Sequence, residues 1–211
     1  MKNLFLSLLA VAGFFSVSNA QDQGDFEVGA NLGFGRAIVI YSSDLNGGTE
    51  GTFGINFGAT GEYYFSDRWG LKAKLLYDAK GWGNGYVQNI DTGEMYYTDF
   101  SLNYVTIPVM ANWHFGRRRN WYLNFGLYTG FLLSAEDDEH GNDIKDALNA
   151  TDVGLAVGIG YKVRLNSKTS IYFAYDEQYG FTDVFADGSS SGFSTQNDRG
   201  SFDIGVLFLL N

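Results

Sequence analysis

The chain has 211 residues, and its 28 glycines make up about 13% of it, where roughly 7% is usual. One proline, no cysteine and 17% aromatic residues exclude a disulfide-stapled scaffold, a cysteine zinc site, a thiol enzyme and a disordered chain. A formal charge of −10 argues against a nucleic-acid binder, whose partner is itself a polyanion.

Residues 1–20, MKNLFLSLLAVAGFFSVSNA, have the layout of a cleavable signal peptide. Lys2 is the positive start, Leu4 to Val17 the apolar stretch, and Ser18-Asn19-Ala20 the small-x-small cleavage site. A short membrane anchor is the other reading, but the apolar run falls below the roughly 20 residues of a helical span. Cleavage after Ala20 leaves Gln21 first, removes Lys2 and takes the formal charge to −11. Residues 21–211 then form one domain, with no composition break or linker inside it. No later segment carries 18 successive apolar residues.

From Asp25 to Gly35 the pattern has period two, with Phe26, Val28, Ala30, Leu32 and Phe34 on one face. The same alternation predicts strands over 53–65, 69–78, 105–115, 121–134 and 153–164. A strand of less definite register covers 169–181, and a last one covers 201–210 with Phe202, Ile204, Val206, Phe208 and Leu210 on one face. Eight strands result. Connections at 66–68, 116–120 and 166–168 are tight, whereas those at 36–51, 83–98, 136–151 and 182–199 are long and rich in Gly, Asn, Asp and Ser. One helical turn fits residues 145–149, inside the third long loop. Short turns at one end and long loops at the other is the layout of an eight-stranded antiparallel up-and-down transmembrane β-barrel.

Sterics choose the face. An eight-stranded barrel is only wide enough to be filled by side chains. The bulky apolar face therefore points outward, and lipid must cover it, since such a belt in water would aggregate. A soluble lipocalin-like barrel would need the opposite arrangement. Tyr63, Trp69, Trp113, Trp121, Tyr161 and Phe208 gather at the short-turn end, and Trp82 at the long-loop end with Phe100 and Tyr104. Aromatic rings at two levels are the expected interfacial girdles. The other face carries Glu62, Lys72, Lys74, Asp78, Lys80, Asp152, Lys162, Arg164 and Asp203. Both signs are present, so a paired charge network inside the lumen is expected.

Five segments carry a family resemblance. They are KLLYDAKGW (74–82), NYVTIPVMANWHF (103–115), GLYTGFLLSAE (126–136), YGFTDVF (179–185) and DRGSFDIGVLF (198–208). In order and spacing they resemble the PorT-like outer-membrane β-barrel proteins of Gram-negative bacteria. The first is similar to that family's Leu-x-Tyr-x-x-Lys-Gly strand end, and the second to its Tyr-Leu-x-Ile-Pro strand. Thr106 stands where an acidic residue is common, and the chain ends Leu-Leu-Asn rather than in an aromatic residue. The resemblance implies the barrel and an outer-membrane address. For some relatives it also implies a place in protein secretion.

Candidate chemistry is sparse. A lipid-modifying barrel enzyme needs a histidine with a serine and an acid, and only His114 and His140 are available. The string Gly188-Ser189-Ser190-Ser191-Gly192 matches a nucleophile elbow by letters, but it lies in a loop rather than a strand-to-helix turn. Glu136, Asp137, Asp138, Glu139 and His140 form an acidic run that could meet a divalent ion, without a Ca²⁺-loop motif. A solvated acidic loop is the plainer reading.

These observations lead to a non-enzymatic envelope protein without cofactor. Its role would be structural, adhesive or assembly-related, presenting four extracellular loops with both termini periplasmic. Its partners would be outer-membrane lipid and lipopolysaccharide, and a protein of the envelope or secretion machinery, with a monomer favoured. The alternatives are a PorT-like secretion accessory, a lipid-modifying enzyme and a narrow channel.

Overall fold

The structure is a computed structural model that describes residues 21–41, 50–88, 93, 95–186 and 194–210. The proposed signal segment 1–20 and the loop string Gly188 to Gly192 lie outside the described residues. Eight strands follow one another: β1 (Phe26–Tyr41), β2 (Thr52–Tyr64), β3 (Trp69–Gln88), β4 (Met95–Phe115), β5 (Trp121–Asp137), β6 (Thr151–Arg164), β7 (Thr169–Gly180) and β8 (Thr195–Leu209). Each pairs antiparallel with the next, and β8 returns to β1, so the sheet closes. Closure leaves no strand edge without a partner, the condition for spanning hydrocarbon with strands.

The alternation read in the sequence sets the two faces. Leu32, Phe34, Phe53, Ile55, Phe57, Leu71, Leu75, Phe125, Leu127, Phe202 and Ile204 all point outward and are exposed, Phe202 at 72%. Period two also settles β7. Phe173, Tyr175 and Tyr179 face out, while Tyr172, Ala174 and Gln178 are buried inside.

Four of the strands run well past their expected ends. β3 and β4 form a long hairpin that includes most of 83–98, which composition marks as loop. Pairing breaks between Trp82 and Gly85 and resumes from Gly85↔Thr98 to Gln88↔Met95. The break is a bulge, with Asn84 at φ 56°. Period two fails at a bulge, so the pattern ends there although the sheet does not. β1 and β8 likewise continue to Tyr41 and back to Thr195, inside the segments read as loops. The expected helical turn is present as a short 3-10 turn over Lys145–Ala147.

Candidate functional site: a charge-filled and capped lumen

The inner face stacks polar clusters along the barrel axis. Nearest the short turns, the Lys162 ammonium sits 2.5 Å from Glu27 and donates to the Tyr64 hydroxyl, which donates to Glu27 in turn. Beside them, Glu62 lies 2.6 Å from His114 Nε2 and accepts from the Asn112 amide. Lys72 rests its ammonium over the Tyr122 ring, 4.2 Å from the centroid, and over Tyr172. At mid-height Lys74 pairs with Asp176, and Asn31 donates to Asp203 and Asn56. Next comes Arg199, paired with Asp78 at 2.6 Å and also bonded to Ser201. Toward the long loops, Lys80 donates to Asp152, whose carboxylate also accepts from Tyr128, Asn197 and Thr182.

Above this column an apolar cap closes the long-loop end. Val39, Trp82, Phe100, Leu102, Tyr104, Leu132, Ala135, Leu148 and Val184 form one buried cluster, with Ile144 and Phe185 against it. Leu148 comes from the β5–β6 connection and Val184 from the β7–β8 connection, so two loops fold inward over the lumen. Asn149 ties them, donating to the carbonyls of Asp183 and Phe185. Leu148 and Phe185 add a backbone bridge.

Eight of the nine predicted lumen charges, Glu62, Lys72, Lys74, Asp78, Lys80, Asp152, Lys162 and Asp203, are buried on the inner face. Arg164 instead stands at the turn-end mouth, in a pocket of about 350 Å³ shared with Gln21, Asp22, Asp25 and Glu27. Sequence reading missed Glu27, Asp176 and Arg199, which supply three of the buried pairs. Asp176 lies in the strand of indefinite register. Glu27 and Arg199 were open to reading, since each falls in phase with inward neighbours.

Trp82 departs from its expected place. It is 2% exposed, stacked on Phe100 at 4.6 Å inside the cap, and is not an interfacial residue. The reason is parity: Asp78, Lys80 and Trp82 share the inner face of β3, and only the bulge beyond them breaks the phase. Phe100 and Tyr104 are buried with it. At the turn end Tyr63, Trp113, Trp121 and Phe208 are exposed, with Trp69 and Tyr161 half-buried beside them. Ring contacts run from Trp69 to Trp113 (6.3 Å), Phe115, Trp121 and Tyr161 (4.8 Å), a collar across β3 to β6.

The acidic run is spread rather than gathered. Asp137 accepts from the His140 backbone N–H and the Asn142 amide, each at 2.7 Å. Asp138 accepts from Ser101, and His140 stacks edge-on against Tyr96 at 4.7 Å. Glu136 and Glu139 are exposed. Among the described residues no three His, Asp or Glu side chains converge as metal ligands.

Solved structures share this architecture at low identity. OprG of Pseudomonas aeruginosa superposes with a TM-score of 0.56 at 13% identity, covering 91% of this chain and 98% of its own. The outer membrane protein AlkL gives 0.53 at 13% identity, with 94% and 96% covered. Neisserial surface protein A gives 0.52 at 19% identity, with 87% and 96% covered. No curated protein sequence matches the chain significantly. The eight-stranded closed ring, its outward apolar wall and its filled polar interior agree with the match of residues 19–186 to the outer membrane protein beta-barrel domain, and the chain belongs to that family.

Proposed function

We propose that this chain is a non-enzymatic outer-membrane barrel that works through its wall and loops, in a structural, adhesive or envelope-assembly role. One observation carries the reading: the lumen is filled, by paired charges along its length and by the apolar cap at its long-loop end. A mid-height cavity beside Lys74, Asp176 and Arg199 measures about 10 Å³, at the limit for one water. A filled lumen leaves the four loops and the lipid-facing wall as the surfaces that meet anything else. The enzyme alternative has less to draw on, because His114 is enclosed by Glu62 and Asn112 and His140 stacks on Tyr96. Recordings from the refolded protein in planar bilayers test the reading. No steady open-channel steps are expected, and a stable conductance would overturn it.

The orientation we propose places both termini and the short turns in the periplasm, with the long loops outside. An even number of strands puts both ends on one side. The chain has no cysteine, so labelling is free of background. In intact cells Asp138→Cys should react with an impermeant maleimide and Ser167→Cys should not; the reverse pattern would invert the orientation.

Within the family, the PorT-like assignment draws support from where its motif residues sit. Lys80 and Arg199, in two of the segments that carry the resemblance, form buried pairs with Asp152 and Asp78.

A further inference from the structure

The turn between β4 and β5 carries three successive arginines, Arg117, Arg118 and Arg119, and the fold engages only the last. Arg119 donates to the Gln21 carbonyl at 3.0 Å and to Asp67 at 3.1 Å. Those bonds offset its φ of 55°, and its backbone N–H closes the turn on the Gly116 carbonyl. Arg117 and Arg118 are thereby set at the two corners of the turn, and both are exposed. Among the described residues neither side chain enters an ion pair or a hydrogen bond, and neither lies over an aromatic ring.

A groove of about 600 Å³ opens on the outward face beside these two residues. Phe115, Trp121 and Tyr161 wall it, the end of the aromatic collar, with Phe115 and Trp121 stacked at 6.4 Å. Gly116 leaves it open, since a Cβ there would meet only Trp121, at 3.6 Å. Asn120 also lines it; its amide donates to the Lys162 carbonyl, and its side-chain oxygen is left to accept. No acidic side chain among the described residues lines the groove. Phe115↔Trp121 is the last pair of β4 and β5, and no apolar residue follows it in the turn. The two arginines therefore follow directly on the end of the apolar wall, where a lipid phosphate follows its acyl chains.

We propose that this groove seats a phosphatidylglycerol of the periplasmic leaflet, its phosphate held by Arg117 and Arg118 and its stem lying against Phe115 and Trp121. Guanidinium groups present paired N–H donors that match phosphate oxygens, and here no carboxylate competes for them. The headgroup hydroxyls can donate to Asn120. The ammonium of phosphatidylethanolamine meets two cations in this groove and no carboxylate, so that lipid fits it less well. A free acidic partner would satisfy the arginines but leave the rings uncovered. The proposal rests on the outward wall being lipid-covered and on the short turns facing the periplasm.

Native mass spectrometry of the full chain in detergent, with phosphatidylglycerol, phosphatidylethanolamine or phosphatidylcholine of identical acyl chains, tests it. Phosphatidylglycerol should be retained at least about tenfold better than either zwitterionic lipid. The R117Q/R118Q double variant should lose that preference. K168Q, which removes an exposed cation from the β6–β7 turn outside the groove, should keep it. Equal retention of the three lipids by the wild type overturns the proposal without recourse to any variant. Loss of the preference in K168Q as well overturns it in favour of diffuse attraction to the whole turn end. Deacylated glycerophosphoglycerol bound as well as the lipid also overturns it, since the groove is then a plain anion site. Gel mobility before and after boiling, run on every sample, separates the levels. A wild type without a shift sinks the lipid-embedded barrel itself, and Ser167→Cys labelled from outside intact cells inverts the orientation and removes phosphatidylglycerol as the occupant. With both as expected, a missing lipid preference sinks only the groove.

Discussion

Tyr122 lies across Gly160 on the neighbouring strand, where any added Cβ would meet its ring. Tyr172 lies across Gly205 in the same way, and Tyr128 across Gly154. Each ring fills the space its neighbour leaves empty, so glycine here is a packing requirement set by a tyrosine one strand away. Gly160→Ala should overpack the lumen and cost about 1–3 kcal/mol, read as a lower urea midpoint in detergent. Adding Tyr122→Leu should return part of the loss, and an unchanged loss would show that the ring is not its cause. The charges can be tested by the same double-variant logic. Glu27→Leu alone strands the Lys162 ammonium, which is 1% exposed, and should cost about 3–5 kcal/mol. Glu27→Leu with Lys162→Met should recover most of it, because two apolar side chains need no partner. A double variant as unstable as the single one would mean that the pair is replaceable by nothing of that shape.

At the scale of elements, the wall was legible and the cap was not. Alternation fixes which side of a strand faces lipid, and it gave the inner parity of β2 to β6 and β8 correctly because a one-residue slip would flip every side chain. It fails where the pattern is interrupted, as at the Asn84 bulge, so β3 and β4 extend beyond their alternating segments, whereas Trp82 lies before the bulge and its inward place follows from its phase with Asp78 and Lys80. The cap draws Leu148 and Val184 from separate loops, and no local pattern links residues so far apart in sequence. Asn149→Ala removes two of the bonds that join those loops, so protease should cut within 181–186 faster than in wild type. An unchanged rate would mean that the apolar contacts alone hold the cap.

The end of β5 has a pH dependence of its own. Burial pushes the Asp137 carboxyl up, but the His140 backbone N–H and the Asn142 amide outweigh it and hold the group below its ordinary value. A carboxylate lowered in the folded state adds stability that is present above its unfolded pKa, here 3.8, and is lost as pH falls through the lower folded value. Pepsin should therefore cut the 137–142 turn increasingly as pH drops below that range, and Asp137→Asn should be cut without such dependence.

For the molecule as a whole, the interior is close to neutral. Lys72, Lys74, Lys80, Lys162 and Arg199 face Glu27, Glu62, Asp78, Asp152, Asp176 and Asp203, so nearly all of the formal −10 lies outside the lumen. Loops and rims carry that charge, and salt should change what they meet more than it changes the fold. The ring itself should resist detergent at room temperature, giving a band that migrates differently before and after boiling. Identical mobility would argue against a barrel held by continuous strand pairing.

β1 and β8 are in register from Glu27↔Leu209 to Tyr41↔Thr195, and the Leu210 N–H reaches the Phe26 carbonyl at 3.0 Å. A ring joined in this way has no obligatory first strand. The chain could be spliced near Phe26 and Leu210 and reopened at the Ser66–Arg68 turn, and every strand would keep both of its neighbours. Such a rearranged gene product should still assemble, which would mean that the order of synthesis is a matter of delivery and the circle alone is the fold.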